Sequence, residues 1–204
     1  MFRTITLSCF LLISSHALHA EVTHKAGNLI QVTAKRMLSQ IEEDRQQINT
    51  NPRHVYDLVD EILIPHIDFE RMSRWVLGKH WRRASSNEKQ DFVEEFRKLI
   101  IRTYSTALLE YNGQEIRFLP VRDASDPNRA SVRTEIRPNN GPMIPIAYDL
   151  YKNEVDEWKV YDVSIDGISL IANYRSSFGS QIRRAGSLKR IIQQMKARSQ
   201  QAKK

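Results

Sequence analysis

An imidazole and two carboxylates, His66, Asp68 and Glu70, stand at alternate positions and form the most reactive local set in this 204-residue chain. Such a set could share a metal ion or move a proton. Its setting gives it a plainer duty: it opens a helix-patterned run, where acids satisfy free amides and complement the positive end of the helix. His24, His54 and His80, the other histidines beyond residue 20, are at no i, i+4 spacing to His66 or to one another, so no helix offers a two-histidine metal face. Asp162 and Asp166 make a second carboxylate pair, but Asp166 before Gly167 reads as a turn and helix start. A serine hydrolase needs an activated hydroxyl, a base and donors for the oxyanion. Gly167-Ile168-Ser169-Leu170 lacks the G-x-S-x-G elbow, and Gly186-Ser187 reads as a helix stop and cap. There is no Walker loop and no dinucleotide fingerprint. Two reaction-level alternatives remain: a hydrolase centred on Ser169 or His66, and a protein that binds without reacting.

The elements around these residues begin with a leader. Residues 1–20 carry Arg3, an apolar stretch over 5–13 and small residues before Glu21, the pattern of a secretory signal peptide. Cleavage after Ala20 would make Glu21 the new terminus, whereas cleavage after Ala17 satisfies the small-x-small rule through Ser15 and Ala17. The stretch is shorter than the ~20 residues that cross a bilayer. Cys9, the only cysteine, lies inside it and not behind a small-residue lipobox, so residues 21–204 have no thiol for disulfide, metal or nucleophile. That length suits one domain with a packed core. The chain has 31 Lys and Arg against 24 Asp and Glu, and loss of Arg3 takes the net charge from +7 to +6. Much of the excess lies in residues 189–204, whose polar end, 197–204, is expected to fray. A basic surface attracts nucleic acid, anionic headgroups or acidic protein. Export removes nucleic acid from that set.

Ile30, Ala34, Met37, Leu38, Ile41 and Ile48 repeat at helical spacing, predicting one surface helix over 22–48 that stops at Asn51-Pro52. Val55, Leu58, Val59, Ile62 and Leu63 predict a second. Residues 67–77 predict a third, with Gly78 as the left-handed residue beyond its end and Trp81 on the return. Ser85 and Glu88 form a capping box that opens the longest helix, through Phe92, Phe96, Leu99, Ile100, Tyr104, Leu108 and Tyr111. After Asn112-Gly113 the period becomes two, predicting four antiparallel strands at Ile116 and Phe118, at Val132 to Ile136, at Ile144 to Leu150 and over 158–165. Asp166-Gly167 then begins a closing helix containing Ile168, and Gly186-Ser187 separates it from a last one. The predicted class is a single α+β domain: a twisted four-stranded antiparallel meander with helices from both termini packed against one face.

Two segments identify a family. Residues 64–108 read IPHIDFERMSRWVLGKHWRRASSNEKQDFVEEFRKLIIRTYSTAL, and residues 161–178 read YDVSIDGISLIANYRSSF. In this order, with strands between, they resemble MlaC, the periplasmic phospholipid-binding or toluene-tolerance family. The resemblance implies a monomeric periplasmic carrier that shuttles glycerophospholipid between outer and inner membranes and maintains outer-membrane lipid asymmetry, without catalysis, metal or cofactor. It implies two partners, an inner-membrane ABC transporter with an MCE ring and an outer-membrane lipoprotein–porin complex. It implies an apolar cavity between sheet and helices. The residues expected to line it are Val132, Ile144, Ile146, Tyr148, Leu150, Val163 and Ile165 on the strands, opposed by Tyr104, Leu108, Ile168 and Leu170. Arg133, Arg137, Arg175 and Arg183 are expected to touch headgroup or partner, and Trp75 and Trp81 either guard a mouth or simply pack. The alternative is an adaptor of a membrane transport complex that carries no lipid itself.

Overall fold

The structure, a computed structural model, describes residues 14–121 and 126–201, with side chains from residue 25 onward. The predicted leader lies outside the described residues as far as residue 13. Helix α1 (Ser14–Glu43) buries Ala26, Ile30, Met37 and Ile41 at helical spacing. The single helix expected over 22–48 breaks at Asp44, and α2 (Arg45–Thr50) follows. The Asp44 carboxylate meets His54 Nε2 at 2.7 Å, which ties the break to the start of α3 (His54–Ile62) and holds that carboxyl below its usual range. A 3₁₀ turn, Ile64–His66, leads to α4 (Phe69–Leu77), whose cap Asp68 accepts the Arg71 N–H at 2.8 Å.

Gly78 has φ 52, as a residue beyond a helix end often does, but its ψ of −115 leaves the left-handed helical region. The chain therefore does not return in a loop. It enters another short helix, α5 (Lys79–Arg83), which carries Trp81. The capping box forms as the spacing of Ser85 and Glu88 requires: Ser85 Oγ accepts the Glu88 N–H at 3.2 Å, and Glu88 accepts the Ser85 N–H at 2.9 Å. It opens α6 (Ser86–Leu109), the second-longest helix after α1.

Five strands follow in consecutive order, all antiparallel: β1 (Ile116–Phe118), β2 (Arg129–Ile136), β3 (Ile144–Lys152), β4 (Trp158–Ile165) and β5 (Ile168–Ser169). The fifth was not expected. Asp166 at φ 50 and Gly167 at φ 77 form a two-residue hairpin turn with two positive φ angles, so the chain folds back and pairs Ile165 with Ile168. Helix α7 (Leu170–Ala185) starts only afterwards, capped by Ser169. Gly186 in the left-handed conformation ends it, and Ser187 accepts the Arg190 N–H of α8 (Leu188–Gln201). Helix α8 continues through 197–201, where fraying was expected, because Ser199 donates to buried Glu95 at 2.5 Å. Among the described residues no helix is long and apolar enough to cross a membrane.

Helices meet both faces of the sheet, where one was expected. Ala26 and Ile30 of α1 cover Ala130, Val132, Leu150, Trp158 and Val160 on one face. On the other, Arg71 and Trp75 of α4 lie against Tyr151 and Tyr161. The interior is divided into three apolar clusters: α4 with α6, α7 and α8; α1 with the sheet; and the second half of α1 with α2 and α3. Ile67 touches the first two and Ile64 touches the first and third, so the 3₁₀ turn and the residue after it are where the clusters meet.

Candidate functional site

The residues with chemical potential are occupied in holding the fold. Asp68 caps α4 and also accepts the Tyr151 hydroxyl, while Glu70 points into solvent. His66 is half-buried, and burial, followed by Lys159 and Arg36, lowers its pKa. Asp162 is buried and accepts three hydrogen bonds, from the Val163 and Ile171 amides and the Ser169 hydroxyl. Ser169 Oγ in turn accepts the Ala172 N–H at 3.1 Å, which fixes the hydroxyl as a cap. Asp166, with positive φ, sits in the exposed turn and does not approach Asp162 as a pair. No group of three His, Cys, Asp or Glu among the described residues could hold a metal ion.

The sheet face toward α1 is more informative. Strand alternation and register put seven of the expected apolar residues on it: Val132 opposite Tyr148, Tyr148 opposite Val163, Ile146 opposite Ile165, then Leu150 and Ile144. Phe118, Thr134 and Ile136 share this face through the same register and were not among the expected residues. The alternation of β2 does carry Ile136; what it lacks is the pairing that sets Ile136 against Ile144.

This face is two different surfaces. Val132 and Leu150 are 1 % and 0 % exposed under α1. Ile136, Ile146 and Ile165 are only half-buried, Ile144 is exposed, and all four belong to none of the three clusters. Part of this apolar sheet face thus lies outside the buried clusters, around the buried Thr134.

Of the four residues expected opposite the sheet, Tyr104 packs on the helical cluster and Leu108 on the α1–α3 cluster, both half-buried on α6. Burial first, then the charge and hydrogen bond of Tyr174, push the Tyr104 phenol up to about 12; burial also raises Tyr148. Leu170 is buried at the start of α7. Ile168 is 61 % exposed in the hairpin, because the chain turns back before the helix begins.

The four arginines fall in two pairs. Arg133 is opposite Ala147, on the sheet face away from α1, and Arg137 pairs with Glu115 at 3.0 Å. Arg175 lies against Gly78, and Arg183 donates to Ser180 at 2.9 Å. Two clefts are present elsewhere. One of about 580 Å³ is lined by Arg71, Asn128, Arg129, Tyr151 and the β3–β4 turn, and one of about 520 Å³ by Lys25, Leu29, His66, Trp158 and Lys159. None of the expected cavity residues lines either cleft. Trp75 is 39 % exposed and tilted against Tyr161, whereas Trp81 is half-buried beneath Lys89.

Known proteins share this arrangement. The family model described as MlaC protein matches residues 31–197. The toluene tolerance protein ttg2D of Pseudomonas putida is 30% identical over 188 residues, 92% of this chain and 86% of that protein. The intermembrane phospholipid transport system binding protein MlaC of Haemophilus influenzae is 28% identical over 145 residues, 70% of this chain and 68% of that one. Among solved structures, the phospholipid-binding protein from Ralstonia solanacearum, in complex with a phospholipid, superposes with a TM-score of 0.79 at 30% identity, covering 88% of this chain and 99% of that one. A model match over most of the length, a relative aligned nearly end to end and a shared fold agree: this chain belongs to the MlaC protein family.

Proposed function

We propose that the protein is a periplasmic carrier that holds a glycerophospholipid with its acyl chains against the part of the sheet outside the buried clusters. It would carry that lipid between the outer and inner membranes and so maintain outer-membrane asymmetry. The observation that supports this most directly is the set Ile136, Ile144, Ile146 and Ile165, apolar side chains on the α1-facing surface that no cluster covers. Tyr148 and Val163, packed on the α1–sheet cluster, would extend that surface inward, and Tyr104 and Leu108 on α6 are the residues we propose for the opposite wall. Each acyl CH₂ withdrawn from water is worth about 0.8 kcal/mol, so two chains supply roughly 20 kcal/mol before ordering costs. Contacts to the headgroup can therefore be few, with Arg133, Arg137, Arg175 and Arg183 as the candidates. The phospholipid-bound Ralstonia relative has the same fold and supports this reading. Loading and unloading would take place at an outer-membrane lipoprotein–porin complex and an inner-membrane ABC transporter with an MCE ring, and the protein would travel as a monomer.

Mass spectrometry of protein isolated from periplasm, run native and then after organic extraction, tests the proposal. A stoichiometric phospholipid adduct is the expected result. Protein that is empty and takes no lipid from vesicles would overturn it and leave the adaptor reading.

A further inference from the structure

Helices α5, α7 and α8 contain ten Lys and Arg and no Asp or Glu. That count exceeds the net charge of the whole chain, +7, so the remaining residues are net acidic and the positive charge is confined to one region. Its centre is where α5 meets α7. Helices α4 and α5 are in contact, as are α4 and α7, and the Arg175 guanidinium of α7 lies beside Gly78, the residue that precedes α5. Lys79 and Arg83 share the five-residue α5 with His80, and the positive charge of Arg183 on α7 also acts on that imidazole. Lys79, Arg82, Arg83, Arg175 and Arg183 are exposed, and among the described residues none of them forms an ion pair with a carboxylate. Some exposed cations are matched, Arg36 with Glu61 and Arg97 with Asp60, and on α8 Lys196 meets Asp91. Unpaired like charges gathered on adjoining helices repel one another, a cost that an anionic surface would relieve.

We infer that this α5–α7 face docks on the surface of an anionic phospholipid bilayer. A planar array of phosphates fits it better than an acidic protein does. Neither cleft reaches these residues, α5 and α7 carry no exposed large apolar side chain among the described residues, and Trp75, 39 % exposed, lies on the adjoining α4. A protein interface needs an apolar centre as well as a charged rim, whereas a bilayer surface attracts basic side chains by charge alone and accepts tryptophan at the headgroup level.

Cosedimentation with vesicles of phosphatidylcholine, with and without about one third phosphatidylglycerol, tests this, since each basic residue near such a surface changes partitioning by about fivefold. Wild-type protein should bind the anionic vesicles and not the neutral ones. The triple variant Lys79→Gln, Arg82→Gln, Arg83→Gln should bind about a hundredfold more weakly. The salt dependence of the wild-type protein gives a reading that needs no variant: raising the salt should release it, because exposed charges are screened beyond about 10 Å at 0.1 M. Binding that ignores phosphatidylglycerol, salt or the triple substitution would overturn the inference. So would a triple variant that binds vesicles normally yet fails in lipid transfer only when membrane proteins are supplied, since the face would then meet an acidic protein. Adhesion needs no cargo: protein that binds vesicles but yields no lipid adduct keeps this inference and loses the carrier reading.

Discussion

Ile146 and Leu150 are four residues apart on β3, on the same face, and differ in what lies over them. Leu150 is fully buried between Ala130 and Val160 beneath α1; Ile146 is half-buried between Thr134 and Ile165 and belongs to no cluster. Leu150→Ala opens a hole in a permanent core and should cost about 3 kcal/mol, equally with and without lipid. Ile146→Ala removes three carbons, worth about 2.4 kcal/mol when fully covered. In lipid-free protein the side chain is only partly covered, so the expected loss is about 1 kcal/mol. In loaded protein an acyl chain completes the cover, and the remaining 1.4 kcal/mol or so appears as roughly tenfold weaker lipid retention. Urea unfolding of loaded and stripped forms of each variant, with lipid release to acceptor vesicles, measures both quantities. Equal destabilisation of the two forms by Ile146→Ala would refute the reasoning, as would selective loss of lipid in Leu150→Ala.

Ser85→Ala removes one of the two reciprocal bonds that open α6 and should lower stability by about 1 kcal/mol in thermal unfolding. Asp162→Ala leaves the Ser169 hydroxyl and the Ile171 amide without their acceptor and should cost about 3 kcal/mol, with Asp162→Asn milder, as denaturant titration will show. Gly78→Ala places a side chain at φ 52 and 3.4 Å from Arg175, and a loss of about 1–2 kcal/mol is expected by the same measurement. His66 and His80 are both held below their ordinary value of 6.5, each by burial first, then His66 by Lys159 and Arg36 and His80 by Lys79 and Arg83. The unfolded chain then takes up protons before the folded one, so stability is full above about pH 6.5 and falls below it. The melting temperature should drop on acidification through that value, and His66→Gln with His80→Gln should flatten the drop.

Signals confined to neighbouring residues could be read directly. The Ser85–Glu88 box, the Gly186 stop and the alternation of β2, β3 and β4 each depend on contacts within a few positions. The break at Asp44 could not be read this way, because its partner His54 belongs to the next helices. The two-residue strand β5 was hidden for another reason. Asp-Gly followed by Ile-Ser-Leu fits a capped helix start as well as a hairpin, and only the pairing of Ile165 with Ile168 decides between them. That choice moved Ile168 from the expected wall into solvent.

The same distinction between local and long-range information governs the site. Period-two alternation in β3 assigns Ile146 and Leu150 identical roles, since each is a branched aliphatic residue facing the same way. Their difference is made by α1, more than a hundred residues earlier, whose Ala26 and Ile30 reach Leu150 and its neighbours but leave Ile146 and Ile165 outside the cluster. On the proposed reading a core and a binding surface are written in the same residue types, and what separates them is the reach of one helix. Extending the cover should convert one into the other: a larger apolar side chain at the half-buried position of Ile165 would stabilise the empty protein and weaken lipid binding. On that reading stability without cargo and capacity for cargo are opposed at this surface, and half-buried isoleucines are the compromise between them.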